Sequence, residues 1–201
     1  MEENKKYILG YGEDALTLVY LQNKEKREEL FDRINSIKAF KEEVANDDCI
    51  IFYRPSFGRK YGFGEPDFII FNKKENIVIF GESKWDRGTN KLPNVNQTTK
   101  QINNRINKFI NNKNSDNLAK LKEFINYDNI KEFVFLLVLF QVKNPDKKET
   151  EINSRIENIR DQVKEYIKGK VPENIKIKFD AIQLEYEYDD KERKLLNIIL
   201  N

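Results

Sequence analysis

Histidine is absent from the 201 residues, and cysteine occurs once, at Cys49. Without histidine there is no Ser-His-Asp triad, no HExxH zinc site and no imidazole general base. A single cysteine excludes an intramolecular disulfide and any four-cysteine zinc or iron–sulfur site, and it points to a reducing, cytoplasmic setting. Long apolar runs are missing as well. The longest, residues 133–140, is strand-sized, well short of the ~20 residues that a membrane span needs. The N-terminal segment has no apolar run of signal-peptide type, so no membrane association is expected. Neither GxxxxGK(S/T) nor GxGxxG occurs, which disfavours nucleotide-driven motors and dinucleotide enzymes, and no nucleotide cofactor is expected. Any catalysis falls to carboxylates, lysine, tyrosine, hydroxyls or a metal held by oxygen.

What is present suffices for one sizeable core. With 39% hydrophobic residues, 12% aromatics and 35% charge, the chain reads as a single globular domain over 1–201. Its net charge of +2 says little, but the distribution says more. Residues 54–113 hold 12 Lys and Arg against 5 Asp and Glu, leaving 24 against 29 elsewhere. The basic middle third suits a polyanionic partner. Lysine and asparagine abundance also follows from an A/T-rich coding genome, so the charge alone does not decide.

Hydrophobic spacing predicts the element order. Leu16, Val19 and Tyr20, then Leu30, Ile34 and Ile37, recur at helical intervals, giving two helices or one kinked helix within 12–45. Residues 49–53 form a short strand, followed by a glycine-rich basic loop over 54–64. Residues 67–71 and 77–84 flank Asn72-Lys-Lys-Glu-Asn76 as the arms of a β-hairpin with a five-residue loop. Both arms are apolar on both faces, so helices should cover the sheet on each side. Val95, Ile102, Ile106, Phe109 and Ile110 mark an amphipathic helix, and 133–142 a buried strand. Ile152, Ile156, Ile159, Val163 and Ile167 mark a further helix, and 175–186 a last strand. The expected class is α/β, in the order αβββαβ with an α and a β added at the C-terminal end.

The hairpin concentrates charge. Pairing about a loop near Lys74 puts Asp67 opposite Glu82 or its immediate neighbour, with both side chains on one face. Lys84, two residues beyond Glu82, projects from that face too. Two carboxylates side by side cost energy unless something cationic lies between them, and a divalent ion with Lys84 nearby would meet that need. The apolar run Ile77-Val-Ile-Phe80 gives way to Gly81-Glu82-Ser83-Lys84, so the charge sits at the end of a buried strand.

Pro66-Asp67 opening one arm and Glu82-Ser83-Lys84 closing the other, with 14 residues between Asp67 and Glu82, resemble the PD-(D/E)XK nuclease superfamily. That group includes many restriction endonucleases and Holliday junction resolvases. The resemblance spans about 10–142 and implies a restriction endonuclease-like core, a mixed sheet flanked by helices, with 150–201 as a helix–strand extension. It implies a metal-dependent endodeoxyribonuclease. Asp67 and Glu82 would hold Mg²⁺, or Mn²⁺ in its place, with the Ser83 carbonyl as a third ligand. Lys84 would orient or deprotonate the attacking water and stabilise charge on the phosphate. Members often add an acidic residue from the first helix; Glu13 matches best and Asp14 competes with it. Some branches place a glutamine followed four residues later by tyrosine after the motif. Here Gln97 precedes Gln101 and Gln101 precedes Arg105, which leaves the branch unassigned.

For DNA contact the candidates are Arg54, Arg59 and Lys60 in the glycine-rich loop, then Arg87, Lys91, Gln97, Lys100, Gln101 and Arg105 beyond the motif. A restriction-type enzyme is the first expectation, working as a homodimer because a duplex needs two cuts. A Holliday junction resolvase or repair nuclease is the alternative, and a catalytically inactive nucleic-acid-binding protein on the same fold is a third reading.

Overall fold

The computed structural model describes residues 6–7, 13–37, 44–55, 65–86, 94–112, 130–142, 149–171, 176–186, 188–189, 194–195 and 199–200. Among these, helices α1 (Glu13–Gln22) and α2 (Lys24–Asn35) precede strands β1 (Ile50–Tyr53), β2 (Phe68–Asn72) and β3 (Ile77–Asp86). Helix α3 (Val95–Asn112), strand β4 (Glu132–Val142), helix α4 (Glu149–Lys170) and strand β5 (Ile177–Tyr186) follow. The five strands form one open mixed sheet whose spatial order is the order of the chain. β1–β2 and β2–β3 pair antiparallel, while β3–β4 and β4–β5 are parallel. Parallel neighbours need long crossovers, and α3 and α4 lie in those connections. Two short ladders, Lys6–Tyr7 with Ile199–Leu200 and Tyr188–Asp189 with Lys194–Leu195, lie outside this sheet.

The expected element order is observed, and the first helical region is two helices. A single residue, Asn23, separates them; its side chain accepts a hydrogen bond from the Lys26 N–H at 3.0 Å, an N-cap that starts α2 anew. The hairpin turn is one residue shorter than expected. Asn72 pairs with Ile77 inside the ladder, so only residues 73–76 turn. Asn72 Oδ1 accepts from the Glu75 N–H at 2.9 Å, and Asn76 takes a left-handed φ of 54°, a conformation that asparagine tolerates better than most residues.

Alternation along the strands sends apolar side chains to both faces. Ile69, Phe71, Val78, Phe80, Phe135, Leu137 and Leu139 pack against Ile102 and Ile106 of α3 and Ile156, Ile159 and Val163 of α4. Phe68, Ile70, Ile79, Val134, Leu136, Val138 and Phe140 pack on the other face against Leu16, Val19 and Tyr20 of α1 and Leu30, Phe31 and Ile34 of α2. Each such side chain contributes roughly 1.5–3 kcal/mol by leaving water. This double cover explains why β2, β3 and β4 lack polar alternation in sequence.

β5 is an edge of the sheet. Arg160 of α4 reaches round it, with Nε 2.7 Å from Asp180 Oδ1 and Nη2 donating to the Ala181 carbonyl at 3.1 Å. A charge held against an edge carbonyl blunts the tendency of open strands to pair with other chains.

Candidate active site

Two local features bring charge to one lip of the sheet. On β3, alternation places Glu82 and Lys84 on the face that carries Val78 and Phe80, while Ser83 turns to the face of α1, where Thr17 Oγ1 meets Ser83 Oγ at 2.7 Å. The β2–β3 ladder begins at the pair Phe68 and Gly81. Asp67 stands one residue before it, donates its N–H to the Gly81 carbonyl at 3.0 Å, and accepts the Ser83 N–H on Oδ2 at 2.7 Å. Gly81 itself is dictated by packing: a Cβ there would run into the ring of Phe68, which is almost fully buried. Beyond Gly81, β3 continues to pair with β4, whereas its pairing with β2 has ended. The charged end of β3 therefore lies where one side of the sheet opens.

Lys84 Nζ donates to Glu82 Oε1 and to the Ser83 carbonyl, both at 2.9 Å, and lies 3.6 Å from Glu13 Oε1. Glu13, the first residue of α1, thus joins Asp67, Glu82 and Lys84. Asp14, its competitor in sequence, pairs instead with Arg54 at 2.5 Å. One helical step of about 100° separates adjacent side chains, which is enough to send the two carboxylates to different partners.

Glu82 is nearly buried and lies among three donors. Oε1 also accepts from Gln101 Nε2 of α3, and Arg105 Nη2 sits 2.6 Å from Oε2. That last contact is an ion pair out of line for a hydrogen bond, so Oε2 and Arg105 Nη1 are buried without an aligned hydrogen-bond partner. Burial, then the neighbouring Glu82 carboxylate, pushes the Asp67 carboxyl up to about 7, against the opposing pull of the Ser83 N–H and Lys84. Burial also raises Glu13, with Lys84 opposing and Glu82 assisting. For Lys84 burial favours the neutral amine, but the surrounding Glu82, Glu13 and Asp67 carboxylates outweigh it and raise the pKa, so it is an ammonium at neutral pH.

Among the described residues no three His, Cys, Asp or Glu side chains already converge as a metal-ligand set. The pair Asp67 and Glu82 nevertheless fits a small divalent cation. Burial and the neighbouring carboxylate push the Asp67 carboxyl up to about 7, a cost that a bound cation would relieve, and Glu82 Oε2 faces Arg105 without an aligned hydrogen bond. Mg²⁺ characteristically takes one or two carboxylates and keeps several waters.

The remaining sequence candidates divide into three groups. Gln97 and Lys100 are exposed on α3. Gln101 and Arg105, named as candidates for DNA contact, turn inward to Glu82. Arg54 is half exposed, adopts a left-handed φ of 43°, and lies 3.6 Å from Glu65 as well as pairing with Asp14; its N–H bonds the Asp67 carbonyl at 2.9 Å. Arg59, Lys60, Arg87 and Lys91 lie outside the described residues. The links from Gln101 and Arg105 to Glu82, and from Thr17 to Ser83, were missed in the sequence. The first was within reach of one argument: a carboxylate on a buried strand needs donors, and Gln101 and Arg105, four apart, flank the inward positions Ile102 and Ile106.

No protein-family model matches the chain, and neither a curated protein nor a solved structure matches it. The structure by itself defines an α/β protein with a five-stranded mixed open sheet covered on both faces by four helices. No helix among the described residues is long and apolar enough to cross a membrane.

Proposed function

We propose that this chain is a Mg²⁺-dependent endonuclease of the PD-(D/E)XK type, built on a restriction endonuclease-like core, that hydrolyses phosphodiester bonds in DNA. The observation that carries the reading is the meeting of Asp67, Glu82, Lys84 and Glu13 at one opening of the sheet, where burial and the Glu82 charge push the Asp67 carboxyl up to about 7. A carboxyl pushed this far above its ordinary range beside a second buried carboxylate suits a site that takes up a further cation.

In this reading Asp67 and Glu82 hold Mg²⁺, or Mn²⁺ in its place, with the Ser83 carbonyl beside them. When bound, the ion polarises a phosphate oxygen and lowers the pKa of water. The chain's own residues supply the rest. Lys84, kept charged by Glu82 and Glu13, donates to the phosphate oxygens on which negative charge grows, a role for a proton donor more than for a base. Glu13, whose affinity for a proton is raised by burial, is assigned to take the proton of the attacking water. The exposed Gln97 and Lys100, with the basic residues of 54–64 and 87–91, contact the DNA backbone. A homodimer with one site per strand cuts both strands.

The test is plasmid cleavage. Wild-type protein should nick or linearise supercoiled DNA with Mg²⁺ and not with EDTA. Lys84→Ala should lower the rate by about 10²–10⁴-fold with an unchanged circular dichroism spectrum, and equal cutting by that variant would refute the role of Lys84. Discrete fragments would mark a restriction-type enzyme, and selective cutting of four-way junctions a resolvase. Salt-sensitive binding without cleavage would mark an inactive DNA-binding protein on this fold.

A further inference from the structure

Arg105 is oddly placed for a structural ion pair. Its side chain is 16% exposed and that of Glu82 7%, and Nη2 approaches Oε2 to 2.6 Å. Yet the approach is not aligned as a hydrogen bond, and the other terminal nitrogen, Nη1, is buried with no hydrogen-bond partner. A guanidinium that settles on a carboxylate forms two parallel hydrogen bonds when geometry permits. Here the charge is neutralised while the donors are left misaligned, so the pair is held by Coulomb attraction in a poorly solvated place and gives up the directional part. Arg105 also stands four residues beyond Gln101, which donates to the other oxygen of Glu82. Helix α3 therefore presents two donors to one strand carboxylate, one aligned and one not.

We propose that Arg105 is a built-in competitor for the divalent cation: it neutralises Glu82 in the free protein and yields that carboxylate when DNA arrives, passing its own charge to a backbone phosphate. The inference rests on the nuclease reading above and adds to it the order of loading. A cation and Arg105 cannot both neutralise Glu82 Oε2, so metal binding is weak while Arg105 stays in place. A phosphate offers the guanidinium the bidentate partner that Glu82 does not. By linkage, if DNA strengthens metal binding by some factor, metal strengthens DNA binding by the same factor. The protein would then hold little Mg²⁺ until a substrate is present.

The experiment counts free Mn²⁺ by electron paramagnetic resonance during titration of the full chain, alone and with a short DNA duplex, in a buffer where cleavage is blocked by low temperature. Wild type is expected to bind Mn²⁺ at least about fivefold more tightly with DNA than without, the lower end of common coupling factors. Arg105→Gln should bind Mn²⁺ tightly without DNA and gain little from it, whereas Arg105→Lys, which keeps a charge, should stay near wild type. Glu82→Gln should abolish binding throughout. Equal Mn²⁺ affinity in wild type and Arg105→Gln, both sensitive to Glu82→Gln, would overturn the competitor role and leave the metal site standing. No Mn²⁺ binding by any protein, with or without DNA, would overturn both. Should Arg105→Gln fail to fold, the wild-type titrations remain decisive: an affinity unmoved by DNA refutes the proposal.

Discussion

Asp67→Asn separates what the site costs the fold from what it gives to function. In the unfolded chain Asp67 loses its proton near the ordinary aspartate value of 3.8, whereas in the folded protein burial and Glu82 hold the proton until about pH 7. Between these values the unfolded state binds fewer protons, so folding stability falls as pH rises; above about 7 the whole cost is present and the slope vanishes. A difference of about 3 units at ~1.4 kcal/mol each gives a ceiling of roughly 4 kcal/mol, and relaxation around a shared cluster brings the expected effect to about 1–4 kcal/mol. Asn has no such titration, and its amide oxygen can still accept the Ser83 N–H. Metal-free Asp67→Asn protein should therefore be more stable than wild type at pH 8 and nearly equal near pH 4. Glu13, also raised, adds a slope of the same sign to both proteins, so the quantity to compare is the difference between them. The chain's one tryptophan, Trp85, lies on β3 next to Lys84 and is half buried, with its indole N–H donating to the Tyr186 hydroxyl, so its fluorescence reports urea unfolding in EDTA at each pH. Equal pH slopes for the two proteins, or a variant less stable at pH 8, would refute the account of Asp67.

Other expectations follow from the same contacts. Gly81→Ala would drive a methyl into the ring of Phe68 and should destabilise by about 1–3 kcal/mol or more; a double-mutant cycle with Phe68→Leu should recover part of that loss, and additivity would argue against the clash. Ile79→Ala, at a fully buried position of β3, should cost about 2–5 kcal/mol in urea denaturation with little change in the denaturant slope. Mg²⁺ at 100 times its dissociation constant should add about 2.7 kcal/mol to stability, seen as a rise in melting temperature that Glu82→Gln removes; a rise that persists in that variant would place the ion elsewhere.

Sequence by itself determined the element order, the two-sided burial of the sheet and the common face of Glu82 and Lys84, because each follows from a short-range period: 3.6 residues for helices and 2 for strands. The approach of Asp67 to Glu82 was legible too, since a tight turn leaves few registers open, and a turn one residue shorter than expected still left the two side by side. Only the tertiary structure showed that Glu13, and not Asp14, lies beside Lys84, because this depends on how α1 is rotated against β3 and on Arg54 taking Asp14. Only the tertiary structure turned Gln101 and Arg105 from an apparently solvated helix face toward a carboxylate on another element. A helix pattern fixes which residues share a face, but the residues at the border of that face meet solvent or a buried charge according to where the sheet ends beneath them, and that is set by long-range packing.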